Sequence, residues 1–347
     1  MDSILYIGTD KGVFTARSRD SQAWEVVNHG LKAWDICELA QAPDAPNKVY
    51  AGTRGDGLWV SEDFGKSWKK PSYGKRGPGK VRSVTVDPHD PRRIYVGAEP
   101  IDIYVSEDAG KSWDRFDSLW DLPSIATIPY PVAAIEPHVR DVTVDPSNPD
   151  ILYAALQVGY IAKSTDRGKS WKILNKDLDC DVHTIVIDPV DPRHLLVATG
   201  GHDSRHGTVK GRALYDSPDG GENWTPIAMN LTHNYSVPLT HDPRNPKQVY
   251  SAVAHGQPPL WGRRASGAEA TLIRSSDGGR TWSSVAQGFE SADFTDAIVV
   301  DDAIPGLVYT ACRSGKAYAS QDAGETWQAL GFQLNVEDVS TMTLAHA

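Results

Sequence analysis

Short runs rich in β-branched and aromatic residues, bounded by turn residues, recur along the whole chain. Val81–Val86, Val-Arg-Ser-Val-Thr-Val, is rich in β-branched residues, an Asp87-Pro88 turn follows, and Ile94-Tyr95-Val96-Gly97 comes next. The same succession is found at Asp145-Pro146 before Leu152-Tyr153 and at Asp242-Pro243 before Val249-Tyr250. Short β-rich runs joined across Asp-Pro turns predict β-hairpins.

A second motif follows each hairpin. Ser-x-Asp-x-Gly-x-Ser/Thr/Asn-Trp stands at 61–68, 106–113, 164–171, 217–224, 275–282 and 320–327, and a worn copy without the Gly runs from Ser18 through Asp20 to Trp24. Each box is a turn. Its Ser and Asp side chains suit nearby backbone amides, its Gly allows positive φ, and its Trp packs on a neighbouring strand. One repeat is therefore an inner strand, the Asp-Pro turn, a second strand, a third strand ending at the box, and a fourth after the Trp. Four strands per roughly 45 residues is a propeller blade.

Seven box Trp residues, at 24, 68, 113, 171, 224, 282 and 327, predict seven blades. The chain opens with a second strand at 5–9 and closes with an orphan inner strand at 339–344, so both termini stitch one blade and leave no open edge. The expected fold is an all-β, single seven-bladed β-propeller of four-stranded antiparallel blades, spanning 1–347 as one domain.

The boxes resemble those of the Asp-box (BNR) repeat proteins, and the chain looks like their seven-bladed members related to sortilin and to photosystem II assembly-factor propellers. That resemblance covers essentially the full length and implies the fold. It does not imply one function, because sialidases, xyloglucanases, sorting receptors and assembly factors share the repeat. Sialidases carry an Arg-Ile-Pro motif and an arginine triad on six blades; the chain has no Arg-Ile-Pro, so their catalytic residues do not transfer. Xyloglucanases of this repeat type clasp a glycan between two propellers, and this sequence holds one.

Composition narrows the partners. With 45 acidic against 35 basic residues the net charge is -10, which disfavours nucleic acid and acidic membrane surfaces. Cys37, Cys180 and Cys312 are odd in number and lack metal-type spacing, and the N-terminus reads as a strand rather than a signal peptide. A soluble, cytoplasmic protein is expected. No phosphate-cradling loop, Gly-x-Ser-x-Gly elbow or paired-cysteine zinc site occurs.

Candidate chemistry comes from irregularity. Three consecutive repeats are longer than the others, and their extra residues fall in 117–137, 200–210 and 255–269, in connections at the end of the blades opposite the Asp-Pro turns and boxes. Long structureless loops on a rigid scaffold often carry function. By register, the rim positions there are Cys37, Arg82, Arg140, His183, Val237, Asp296 and Ser340, and the second-strand ends add Glu99 and Arg313. Two arginines suit a carboxylate, phosphate or sulfate.

His138, His183, His202, His206, His233 and His255 map to the same end, and Trp34, Trp120 and Trp261 lie in its connections with Tyr130 and Tyr235. The expectation is a hydrolase or lyase acting on a small anionic or sugar-like molecule. His183, His255 and Asp296 are its candidate catalytic residues. Arg82, Arg140, Arg313, Trp34, Trp120 and Trp261 are expected to bind substrate, and His138, His183, His202, His255 and Glu99 are candidate ligands for one divalent metal ion. The alternative is a non-catalytic scaffold or assembly factor that holds a protein partner on the same face.

Overall fold

The computed structural model describes residues 2–71, 77–128, 136–202, 212–229 and 231–347. The strands form where β-branched and aromatic runs are bounded by turns, and the second strand of a blade, such as Ile94–Ala98, is buried throughout. Val81–Val86 pairs antiparallel with Ile94–Ala98, then comes Asp102–Ser106, and Asp114–Arg115 lies outermost. This order recurs, and among the described residues it gives seven sheets, the blades of an all-β, seven-bladed propeller. Six sheets have four strands. The sheet of Ile36–Ala42, Ala45–Thr53 and Gly57–Ser61 has three, with an isolated Val60–Lys69 bridge beyond its outer edge.

The chain forms two compact units. The first, Met1–Ile173 with Val336–Ala347, holds the first four blades; the second, Leu174–Asn335, holds the last three. In the first unit Val339–His346 pairs with Ser3–Thr9, so the two ends of the chain complete one blade, as the terminal strands predict.

Each complete box is closed by the same bonds. Its Ser hydroxyl donates to Asp Oδ1 at 2.7–2.9 Å and accepts from the Gly amide at 2.7–2.9 Å. The Ser, Thr or Asn before the Trp donates to Oδ2 at 2.6 Å. Both carboxylate oxygens are engaged, which leaves the turn little capacity for a cation.

The box Gly does more than turn the chain. A Cβ on Gly65 would stand 2.8 Å from the Tyr6 ring of the preceding blade, and one on Gly168 would stand 2.7 Å from Phe116. In the second unit Gly279 meets Leu196 at 2.4 Å and Gly324 meets Tyr250 at 3.2 Å by the same construction. Each of these boxes is thus seated on an apolar side chain of the blade before it. The tyrosines among these seats, Tyr6 and Tyr250, are buried, as are Tyr50, Tyr95 and Tyr153 in the first unit and Tyr215 and Tyr309 in the second.

Two of the three inserted segments are not structureless, contrary to the sequence expectation. Helical turns at Asp117–Asp121 and Ile125–Thr127 bury Leu119 and Ile125, and a turn at Pro258–Trp261, begun by a proline suited to the first helical position, buries Trp261. Apolar residues in these segments had docking surfaces available, and short helices satisfy the backbone on the way. The 200–210 segment lies mostly outside the described residues, as do Tyr130 and His206. Among the described residues no helix is long and apolar enough to cross a membrane.

Gly65 and Gly278 have nearly the same φ, +76° and +77°, but nothing lies within 4 Å of a Cβ at Gly278. Gly278→Ala should cost only the left-handed strain, about 1–2 kcal/mol, and Gly65→Ala about 1–3 kcal/mol more from overpacking. Equal losses in urea melts would remove the blade contact from the account. The Ser170 hydroxyl and amide hold Asp166 at about 2, and at Asp219 the Asn223 side chain does the same against partial burial. Folded values below the unfolded 3.8 stabilise above that pH, so stability should fall as pH drops from about 4 towards 2. An acid titration by circular dichroism checks the window.

Candidate functional site

The inner strands do not run as regular ladders. Val81 pairs with Ala98 and Ser83 with Gly97, leaving Arg82 as the extra residue of a β-bulge. The same skip falls on Cys37, Arg140, His183, Asp296 and Ser340, and a wider one takes in Val237 and Pro238. These are the seven rim positions read from register. A bulge frees a residue from ladder pairing and re-aims its side chain, so the repeat offers one adjustable position per blade.

In the first unit, Arg82 and Glu99 form a buried ion pair, with Arg82 Nε 2.7 Å from Glu99 Oε2. Lys80 Nζ lies 3.2 Å from Glu99 Oε1 and 3.5 Å from Glu136 Oε2. Acting against the desolvation of Glu99, Arg82 and Lys80 hold its carboxyl below the usual range. Both Glu99 oxygens therefore face cations. Burial, followed by the charge of Arg82, holds His138 down at about 2, and its Nδ1 lies 2.9 Å from the Glu136 carbonyl.

Arg140 is partly exposed and has no side-chain hydrogen bond or ion pair among the described residues, which leaves its guanidinium available to an anion. Trp120 is 44% exposed while its Nε1 donates to Asp102 Oδ1 at 2.8 Å. Asp102 pairs with Ala98, so Trp120 is anchored at the Arg82–Glu99 end of that blade. Trp34 is instead partly buried, packed against the cluster of Ile36 and Val49. Next to it, Arg54 Nε lies 2.8 Å from Asp35 Oδ2.

Sequence reasoning missed Glu38. Its Oε1 accepts from Thr341 Oγ1 at 2.6 Å and from the Leu39 amide at 3.1 Å. Burial raises its carboxyl to about 7 against those two bonds, and the charge of Asp141 adds to the rise. A register signal was present: one residue past the bulges stand Glu38 and Asp141, where the equivalent positions hold Ser83, Thr184, Pro238, Ala297 and Thr341.

In the second unit, His183 is 3% exposed. Its Nδ1 lies 2.7 Å from the Ser236 carbonyl, which fixes a proton there, and its Nε2 is 3.4 Å from Asp181 Oδ1. Cys180 Sγ and His202 Nδ1 are 3.4 Å apart. His255 is half-exposed with its Nδ1 3.7 Å from Glu269 Oε2, and His233 Nε2 is 2.7 Å from the Glu269 carbonyl oxygen.

Asp296 Oδ2 meets Arg313 Nη2 at 2.6 Å, and the guanidinium lies 5.2 Å from the Trp261 ring centroid. Trp261 is buried edge-on to Tyr235 and beside Phe294, so most of its ring serves packing. The proposed metal ligands are not drawn together within either unit. Among the described residues none of His138, His183, His202, His255 and Glu99 belongs to a group of three ligand atoms at metal-binding separation.

Residues 58–70 match the family profile of the BNR-Asp box repeat. The turn motif of this propeller is the Asp box. The chain is 31% identical over 216 residues to the probable oligoxyloglucan-reducing end-specific xyloglucanase of Neosartorya fischeri, covering 56% of this chain and 24% of that enzyme. It thus spans about a quarter of the relative's length. An ancestral GH74 enzyme superposes on 89% of this chain, and 38% of its own, with a TM-score of 0.63 and 18% identity. YCF48 bound to D1 peptide superposes on 92% of this chain and 86% of its own, with a TM-score of 0.57 and 16% identity. At these identities the structural likenesses show the fold.

Arg82→Ala should cost about 3–5 kcal/mol by leaving Glu99 buried with weaker compensation, whereas Arg140→Ala should cost under about 1 kcal/mol. Adding Glu99→Gln should recover much of the Arg82→Ala loss. Thermal melts of these three variants against the unsubstituted protein decide the matter, and absence of recovery would show that the pair is not coupled.

Proposed function

We propose that this Asp-box protein is a sugar-acting hydrolase whose proton chemistry runs on the inner-strand carboxyls of its first unit. Glu38 carries the reading. It is partly accessible, sits on an inner strand, and has its carboxyl raised to about 7, so a large fraction of it is protonated at neutral pH, where a free glutamate is almost wholly ionised. A protonated carboxyl within electrostatic reach of a second carboxylate, as Glu38 is of Asp141, is the kind of pairing that glycoside hydrolysis uses. In this reading Glu38 donates its proton to the leaving oxygen, and Asp141 supports the positive charge that develops or activates water.

Arg140 binds a substrate anion or hydroxyl, and the exposed face of Trp120 offers a platform for a sugar ring. The xyloglucanase relative supports hydrolysis over the lyase chemistry that the sequence left open. Cys37, Cys180 and Cys312 form no disulfide, which supports placing the protein in the reducing cytoplasm. The likeness to YCF48 bound to D1 peptide favours a second reading, in which the same end of the blades receives a peptide without turnover.

Release of reducing ends from xyloglucan oligosaccharides tests the first reading. Glu38→Gln should lower kcat by about 10²–10⁴ while keeping the Thr341 contact, and the wild-type rate should fall as pH rises through about 7. A folded value above the ordinary 4.5 also means that stability declines as pH rises from 4.5 to about 7, a slope that Glu38→Gln removes. Unchanged turnover in Glu38→Gln would sink the assignment. No turnover on any saccharide, together with saturable peptide binding, would establish the second reading.

A further inference from the structure

The worn Asp box of the first blade differs from the six complete ones in chemistry as well as in length. Asp20 Oδ1 accepts from Ser18 Oγ at 3.0 Å and from the Gln22 and Ala23 amides, both at 2.9 Å. The residue before the Trp, which donates to the second carboxylate oxygen in every complete box, is here Ala23. Asp20 Oδ2 consequently accepts no hydrogen bond among the described residues. Its carboxyl still lies below the usual range, chiefly because of the Ala23 and Gln22 amides, so this oxygen is charged at neutral pH.

That oxygen belongs to a residue lining a surface cavity of about 470 Å³, together with Arg17, Arg19, Trp24, Glu25 and Val27. A second cavity of about 210 Å³ shares Arg17 and Val27 as walls. Val27 is the extra residue of a bulge on the outer strand Glu25–Gly30, where Thr15 pairs with Asn28 and Ala16 with Val26. It is 51% exposed, an unusual state for a valine between two cavities. Arg17 is paired with Asp2, but Arg19 has no ion pair among the described residues.

We propose that the larger cavity binds a neutral saccharide unit, at a site separate from the inner-strand carboxyls. A free carboxylate oxygen and a free guanidinium one residue apart give an acceptor and a donor, the combination that vicinal hydroxyls satisfy together. Val27 and the accessible edge of Trp24 supply apolar surface for the C–H face of a sugar ring. With Arg17 neutralised by Asp2, the carboxylates of Asp20 and Glu25 outnumber Arg19, the one unpaired cation of the lining among the described residues, so an anion is disfavoured. The volume lies within the range of small-molecule sites. The proposal does not depend on the hydrolase reading, since it requires binding and no turnover.

The test is a ¹⁹F NMR titration of 5-fluorotryptophan-labelled protein with cellobiose, lactose and maltose, with Trp24 assigned from Trp24→Phe. At least one disaccharide should shift the Trp24 signal saturably. Val27→Trp, which fills the cavity from an exposed position, and Ala23→Thr, which gives Oδ2 the hydroxyl it lacks, should each weaken binding at least tenfold. Ala23→Thr should not lower Tm, because it restores a bond the other boxes make. No shift with any of the three sugars, or a shift that both variants leave unchanged, overturns the site whatever the outcome at Glu38.

Discussion

The contact on which the blades depend is that between a box glycine and an apolar side chain of the blade before it. A turn held only by its own hydrogen bonds would stabilise one blade in isolation. Seating Gly65 on Tyr6, or Gly324 on Tyr250, makes the turn a packing element as well. The left-handed φ and the lack of a side chain are then required by the same residue for two reasons, one torsional and one steric. The Ser and Asp of the box fix the loop so that its glycine arrives at the right height, and the outward turn becomes part of the core.

Rigidity at that edge leaves freedom at the inner strands. Each bulge lies in a ladder whose flanking pairs are intact, so its residue is released from pairing at the expense of a one-residue register shift, and the ladder resumes beyond it. Within the first unit this places Arg82 against Glu99 in a buried pair and leaves Arg140 partly exposed and unengaged. Identical backbone, different partners: one arginine is structural and the other is available to a ligand. In the second unit the same device delivers His183 to the Ser236 carbonyl and Asp296 to Arg313.

The fold was legible because it is written many times over. The boxes, the Asp-Pro hairpins and the split blade at the termini are local patterns, and register counting from them reached all seven bulge positions. The state of each side chain was not legible, since it is set by neighbours distant in sequence. Glu38 owes its raised carboxyl to burial on a strand beside Thr341, 303 residues away. Trp261 looked like a free aromatic in a long loop, but the helical turn begun by Pro258 folds it onto Tyr235 and Phe294. The worn box read as decay, and only the cavity beside Asp20 gives its missing hydroxyl a meaning.

The bulges also bear on how such a scaffold changes over time. A residue outside the ladder can be exchanged without altering strand length, pairing or turn geometry, so an unengaged position such as Arg140 is filtered by chemistry at the site, whereas a buried pair such as Arg82–Glu99 is held by folding as well. Cysteine, arginine, histidine, valine, aspartate and serine all occupy the position within this one chain. The protein therefore carries its own record of permitted substitutions: six residue types already accepted at seven equivalent positions, from which new ligand preferences can be assembled by single exchanges.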